Sequence, residues 1–208
     1  MLNVARLRED FPVLNENPNL AYLDNAASTL KPKCVIDEVD GYYNKLGVNV
    51  HRGVYKLSYL ATDAYEEARS KVANFINADF EEIVFTRGAS SALNLVALSY
   101  GMNNLKPGDE VITSELEHHS SCMPWLNVCK ATGATLKYVP LNEEGRITVE
   151  AFKSVLTDKT KVVALTYVSN VMGYITPIAE IIKLAHSVGA VVSVDAAQAV
   201  PHMVVDVK

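Results

Sequence analysis

Lys161-Val-Val-Ala-Leu-Thr-Tyr-Val168, and after one helix's length of chain Ala190-Val-Val-Ser-Val194, are the stretches that decide the fold. Both are nearly continuous apolar runs of strand length, and strands apolar on both faces belong to parallel sheets covered by helices. Ile178 to Val188 between them carries apolar residues at helical spacing, so the segment reads as strand, helix, strand. These two strands are expected to be central in the sheet.

Working outward, the same alternation repeats. Glu82-Ile-Val-Phe-Thr86 is expected as a strand and Ser90 to Tyr100 as a helix. Glu110-Val-Ile-Thr-Ser114 reads as a strand, Pro124 to Ala131 as helix, Leu136-Lys-Tyr-Val-Pro140 as a strand and Thr148 to Leu156 as helix. Met203 to Val207 is expected to begin another strand. Lys106-Pro-Gly-Asp109, Asn142-Glu-Glu-Gly145 and Ser187-Val-Gly189 supply turns between elements. The first third reads as helix and loop: Leu57, Leu60, Ala61, Ala64, Tyr65, Ala68, Val72 and Phe75 share a helical stripe, with Ser58 as N-cap. A short N-terminal helix is expected to pack Val4, Leu7 and Phe11. The fold class is therefore α/β, a mostly parallel sheet with helices on both faces.

Bulk properties exclude several functions. Of 208 residues, 49% are apolar, which excludes a disordered chain. A net charge of -5 and the lack of a basic, aromatic-studded stripe give no basis for binding nucleic acid. There is no apolar run of membrane-spanning or signal-peptide length, so no membrane partner is expected and a cytoplasmic location is. Cys34, Cys122 and Cys129 form no paired spacing, which fits a reducing compartment and offers neither a disulfide scaffold nor a zinc site. No metal is expected.

In open parallel sheets, ligands bind beyond the carboxyl ends of the strands. Four polar clusters follow expected strands there: Arg87-Gly-Ala-Ser90, Glu115-Leu-Glu-His-His119, Ser169-Asn170 and Asp195-Ala-Ala-Gln198. The turn Thr86-Arg-Gly-Ala-Ser-Ser91 suits an anion at a helix start, or a helix capped by Ser90. The adjacent His118 and His119 point apart, as a surface pair or with one imidazole stacked on a flat ring. Asp195 ends an apolar strand, where a carboxylate needs a cationic partner or caps a helix. Gln198 could bond a ligand or complete a capping box, and Asn170 could serve a turn. No G-x-S-x-G elbow supports a nucleophilic serine.

Longer stretches carry a family likeness: Tyr22-Leu-Asp-Asn-Ala-Ala-Ser28, His51-Arg-Gly-Val-Tyr-Lys-Leu-Ser58, Val84-Phe-Thr-Arg-Gly88, Glu117-His-His119, Ser169-Asn-Val-Met-Gly173 and Val194-Asp-Ala-Ala-Gln-Ala199. In this order they resemble the N-terminal half of a group II cysteine desulfurase of the selenocysteine lyase type. That family lies in the class V branch of fold-type I enzymes, which use pyridoxal phosphate. The resemblance implies a truncated large domain of that fold. Residues 1–20 would be an N-terminal helical segment, residues 21–208 an incomplete cofactor-binding domain, and the C-terminal small domain would be absent.

The resemblance also implies roles. Asp195 would pair with the pyridinium nitrogen and Gln198 would contact the ring oxygen, with Asn170 nearby. His118 would stack on the ring and act in catalysis by moving protons. Ala89 and Ser90 would hold the phosphate, although threonine is usual where Ala89 stands and asparagine where Ser121 stands. Asn25 and Ala26 would lie near the amino acid substrate, and His51 and Arg52 would line the entrance. The family's cofactor lysine, persulfide cysteine and substrate-gripping arginine fall in the other half. Two further strands would also sit between the Asp195 strand and strand 82–86. The implied activity is sulfur removal from L-cysteine for iron-sulfur cluster assembly, by a homodimer that serves a sulfur-acceptor protein, with this chain inactive alone and pyridoxal phosphate bound non-covalently at best. A selenocysteine lyase, one chain of a split enzyme and a non-catalytic binding remnant remain open alternatives.

Overall fold

The computed structural model describes residues 2–208. The chain divides into two compact units, residues up to Ile83 together with Lys208, and Val84–Val207.

The first unit is helical. It comprises α1 (Val4–Glu9), α2 (Pro12–Glu16), α3 (Lys33–Gly41) followed by a π-helical turn at Tyr42–Leu46, and α4 (Lys56–Ile76). Asn3 caps α1 by accepting from the Arg6 N–H, but Val4 and Leu7 are exposed rather than packed, and only Phe11 is half-buried. A helix this short leaves its apolar side chains little to pack on. Ser58 is not the cap of α4, whose first turn already begins at Lys56. Its buried hydroxyl instead accepts from the Gly53 N–H and donates to the Asn49 carbonyl, fastening the preceding loop. A Cβ on Gly53 would lie 2.4 Å from Ser58 Oγ, so only glycine permits that approach. Of the expected α4 stripe, Ala61 is buried, while Leu57, Leu60, Val72 and Phe75 are exposed; Ala73, outside the stripe, is buried as well.

The second unit is the α/β body. α5 (Ala89–Val96), a π turn at Ala97–Gly101 and a single α-helical turn, α6 (Met102–Asn104), lead into β1 (Glu110–Ser114). Then follow α7 (His119–Thr132), β2 (Thr135–Val139), α8 (Val149–Val155), β3 (Thr160–Thr166), α9 (Ile178–Ser187) and β4 (Val191–Asp195). The four strands are parallel in the order β2-β1-β3-β4. One face packs Ile112, Val139, Val163 and Leu165 against Phe152 of α8 and Ile181 of α9. The other packs Val111, Val162 and Ala164 against Ala97, Trp125 and Val128. Helices therefore cover both faces, as two-sided apolar strands require.

Three strand expectations need correction. β3 is interior and almost wholly buried, but β4 has one neighbour in the sheet, and Val191 is 39% exposed. Residues 83–86 follow a 3-10 turn at Phe80–Glu82 and join no strand; the Ile83 carbonyl instead accepts from the Arg69 guanidinium. Met203 to Val207 likewise forms no strand. No helix among the described residues is long and apolar enough to cross a membrane.

Candidate functional site

The four polar clusters converge. They line one cavity of about 270 Å³ in the second unit, contributed by Arg87–Ser91, by His118 and Ser120, by Thr166, Val168 and Asn170, and by Asp195 with Ala197 and Gln198. Ala89, Ser90, His118, Asn170, Asp195 and Gln198 are therefore brought together. This size suits one small ligand, just below the roughly 300–1,000 Å³ common for ligand pockets.

One side of the cavity is suited to an anion. Gly88, at φ 150° and ψ 176°, holds a backbone conformation open to glycine alone and turns the chain into α5. Gly88 has no side chain with which to cap the helix, so the first N–H groups of α5 lack a capping acceptor where the cavity lies. Ala89 in place of a hydroxyl residue leaves that backbone set intact.

Another side is acidic. Asp195 is 7% exposed at the end of β4, and its Oδ1 accepts from the Ala197 N–H. Turns, not a helix, follow it, so Asp195 caps a turn. Asn170 stands exposed at the tip of a turn held by buried Ser169, whose hydroxyl accepts from the Val171 and Met172 N–H groups.

His118 is the N-cap of α7, with Nδ1 accepting from the Ser120 N–H. In the neutral imidazole the proton therefore sits on Nε2. The rings of His118 and His119 are 6.4 Å apart and tilted by 52°, and His118 is the one that lines the cavity.

Sequence reasoning passed over Glu117. Its Oε1 accepts from Ser114 Oγ at 2.8 Å and from the Thr166 N–H at 3.0 Å, and its Oε2 from Ser121 Oγ at 3.2 Å. Burial pushes its carboxyl up to about 7; the three hydrogen bonds oppose that, and the nearby Asp195 charge adds to it. The signal available in the sequence was an acid between a strand end and a helix-capping histidine. Its partner Thr166, far along the chain, was not visible.

The other expected site residues belong to the first unit. Asn25 and Ala26 lie exposed in the turn 25–27, where the Ala27 and Ser28 N–H groups donate to the Asp24 carbonyl. His51 adopts a left-handed φ of 67°; its N–H donates to Thr62 Oγ1 and its Nε2 meets Glu66 at 2.5 Å. Arg52 is exposed in the same loop. Among the thiols, burial pushes Cys129 up to about 11, and Cys34 is exposed. Among the described residues no group of histidine, cysteine and acid side chains is arranged to hold a metal ion.

The aminotransferase class-V pattern matches residues 21–208. The chain is 50% identical to a probable cysteine desulfurase of Halalkalibacterium halodurans, covering 100% of this chain and 52% of that protein. It is 51% identical to a probable cysteine desulfurase of Synechocystis, covering 98% and 50% respectively. Among solved structures, the apo cysteine desulfurase of Thermococcus onnurineus superposes with a TM-score of 0.92 at 42% identity, covering all of this chain and 50% of that one. A cysteine desulfurase of Escherichia coli superposes with a TM-score of 0.88 at 40% identity, over 100% and 52%. The chain thus spans about half the length of the relatives it matches.

Proposed function

The chain belongs to the class-V aminotransferase family, with cysteine desulfurases as its relatives, and we propose that it is the N-terminal portion of a group II cysteine desulfurase, binding pyridoxal phosphate but inactive alone. The observation that carries this reading is the polarity of the cavity, with uncapped N–H groups on one side and a buried carboxylate on another. A phosphate and a protonated pyridine ring are the two ends such a donor set fits.

When bound, the cofactor would supply an electron sink for cleavage at the substrate's β-carbon. The residues of this chain do the rest. Ala89 and Ser90 bind the phosphate through backbone N–H groups. Asp195 keeps the ring nitrogen protonated, since losing that proton would leave a buried, unpaired carboxylate. Gln198 and Asn170 fix the ring's orientation from the strand ends. His118 stacks on the ring, and its Nε2 holds or moves a proton near the substrate. Asn25, Ala26, His51 and Arg52 are proposed to contact the amino acid or its path of entry.

Among the described residues lining the cavity there is no lysine and no cysteine. Covalent attachment and persulfide formation must therefore come from residues the cavity does not contain. In the complete enzyme we place this half in a cytoplasmic homodimer that converts L-cysteine to L-alanine and passes sulfur to an acceptor protein for iron-sulfur cluster assembly.

The test is to titrate pyridoxal phosphate into the 208-residue chain and follow Trp125 fluorescence, then add borohydride and L-cysteine. Saturable binding is expected, weakened about tenfold or more in Asp195→Asn because a desolvated charge pair is lost, with no borohydride-fixed cofactor and no alanine. Borohydride-stable labelling or alanine turnover by this chain would overturn its inactivity, and equal binding by the variant would overturn the role of Asp195.

A further inference from the structure

Glu117 is a carboxylate that the proposed chemistry leaves unused. It lies one residue before His118, and its two oxygens bond to three elements: the end of β1 through Ser114, the end of β3 through the Thr166 N–H, and the first turn of α7 through Ser121. It therefore spans the strand ends on which the cavity is built and anchors the residue from which His118 departs. It also lines a neighbouring hollow that shares His118 and Asn170 with the main cavity.

We propose that Glu117 is a positioning residue for this cavity: it ties β1, β3 and α7 together behind His118, and it carries a proton that leaves to solvent when a cationic ring seats against Asp195. The proton-linked half of this statement rests on the proposed cofactor site. The balance is simple. A neutral Glu117 carboxyl and a ligand with a protonated ring become a Glu117 carboxylate and the same ligand seated with that ring against Asp195 and its phosphate at the start of α5, and the released proton goes to buffer. No electron moves and no covalent bond between heavy atoms forms or breaks.

The surroundings fit this coupling. Asp195 approaches from β4, Glu115 flanks Glu117 in its own loop, His118 caps α7, His119 begins it, and Arg87 lies on the wall of the main cavity. Of these, Asp195 is the charge that acts on Glu117, raising its proton affinity on top of the larger effect of burial. The carboxyl titrates near 7 rather than at its ordinary 4.5. Near neutral pH it is thus divided between the two forms, and a positive charge brought into the cavity favours the carboxylate. The sign follows: proton release is largest near that midpoint and fades at higher pH, where the proton has already gone.

Two measurements test it. In the first, which needs no ligand, the glutamate carboxyl carbons are labelled and followed by NMR through a pH titration. One resonance, missing in Glu117→Gln, is expected to titrate near neutral pH. Its midpoint should fall in Asp195→Asn and rise in Ser121→Ala, which lacks one stabilising donor. A midpoint in the ordinary carboxylate range, or one unmoved in Asp195→Asn, would overturn the coupling. Glu117→Gln should also keep the His118 ring resonances in place while Glu117→Ala shifts them; identical spectra would overturn the positioning role.

In the second, pyridoxal phosphate is titrated calorimetrically at pH 7 in buffers of different ionisation enthalpy. Wild type should release up to about half a proton more per ring than Glu117→Gln, the fraction set by a midpoint near the working pH. Equal release would overturn the proposal. If the first measurement succeeds and the cofactor does not bind at all, the cofactor reading fails while the link between Glu117 and Asp195 stands.

Discussion

Residues 84–207 and residues 2–83 use apolar residues in opposite ways. In the second unit, alternate residues of β1 and β3 go to opposite faces, and Ile112, Phe152, Leu165 and Ile181 on one side and Val111, Trp125 and Val162 on the other are almost wholly enclosed. In the first unit, the buried residues of the 21-residue helix α4 are Ser58, Ala61 and Ala73, while Leu57, Leu60, Val72 and Phe75 are exposed. A sheet with helices on both sides supplies its own partners. A lone amphipathic helix supplies only one half of an interface. Stability should follow that difference, with large costs in the second unit and small ones on the exposed face of the first.

The largest effect is expected at Phe152. It is fully buried in α8 against Ile112, Val139 and Ile181. Phe152→Ala should cost about 3–5 kcal/mol, the transfer of the ring plus the cavity left behind. Urea unfolding followed by the fluorescence of the single tryptophan, Trp125, reads this unit directly. A cost near 1 kcal/mol, of the kind roughly typical of an average substitution, would mean that the sheet faces are looser than their packing shows.

The same contrast explains what the sequence discloses. Strands β1 to β4 and their cavity-lining ends were legible because a buried parallel strand has a local signature, an apolar run closed by polar residues. Asp195 stands out for that reason. The edge position of β4 and the missing ladder at residues 83–86 were not legible in the local pattern, since pairing is decided by whichever segments lie alongside; only the family resemblance, which sets two further strands between them, pointed there. Glu117 was invisible as a site residue because its enclosure comes from Thr166, 49 positions away, while its sequence neighbours Glu115 and His118 are exposed. Helical spacing found the α4 helix but carried no information on whether anything covers its apolar stripe, most of which is exposed. Ser58 looks like a cap by residue type, yet the helix starts before it, and its hydroxyl serves the loop.

Ser58 supplies the next effect down, the exception within the first unit. It is 1% exposed and satisfies both the Gly53 N–H and the Asn49 carbonyl. Ser58→Ala removes both partners and should cost about 1–2 kcal/mol, because buried groups left unpaired bear their desolvation cost. The loop that carries Arg52 would open more often, and tryptic cleavage there should quicken about five- to thirty-fold if opening is rapid relative to cutting. Unchanged cleavage would place Ser58 with the rest of α4, as a residue whose contacts contribute little.

The smallest effect is the most diagnostic. Phe75 sits near the C-terminal end of α4 with 68% of its surface exposed. Phenylalanine and serine have similar helix propensities, so Phe75→Ser changes little except apolar area that already faces water. Its cost should stay within about 0.5 kcal/mol, as for other exposed positions. Helix loss on heating, followed by circular dichroism at several protein concentrations, measures it. A cost of about 2 kcal/mol or more would require burial of the ring in solution, and a cost that grows with concentration would identify the cover as another copy of this chain. The contrast between the units would then be one between a core closed within the chain and a face closed only by assembly.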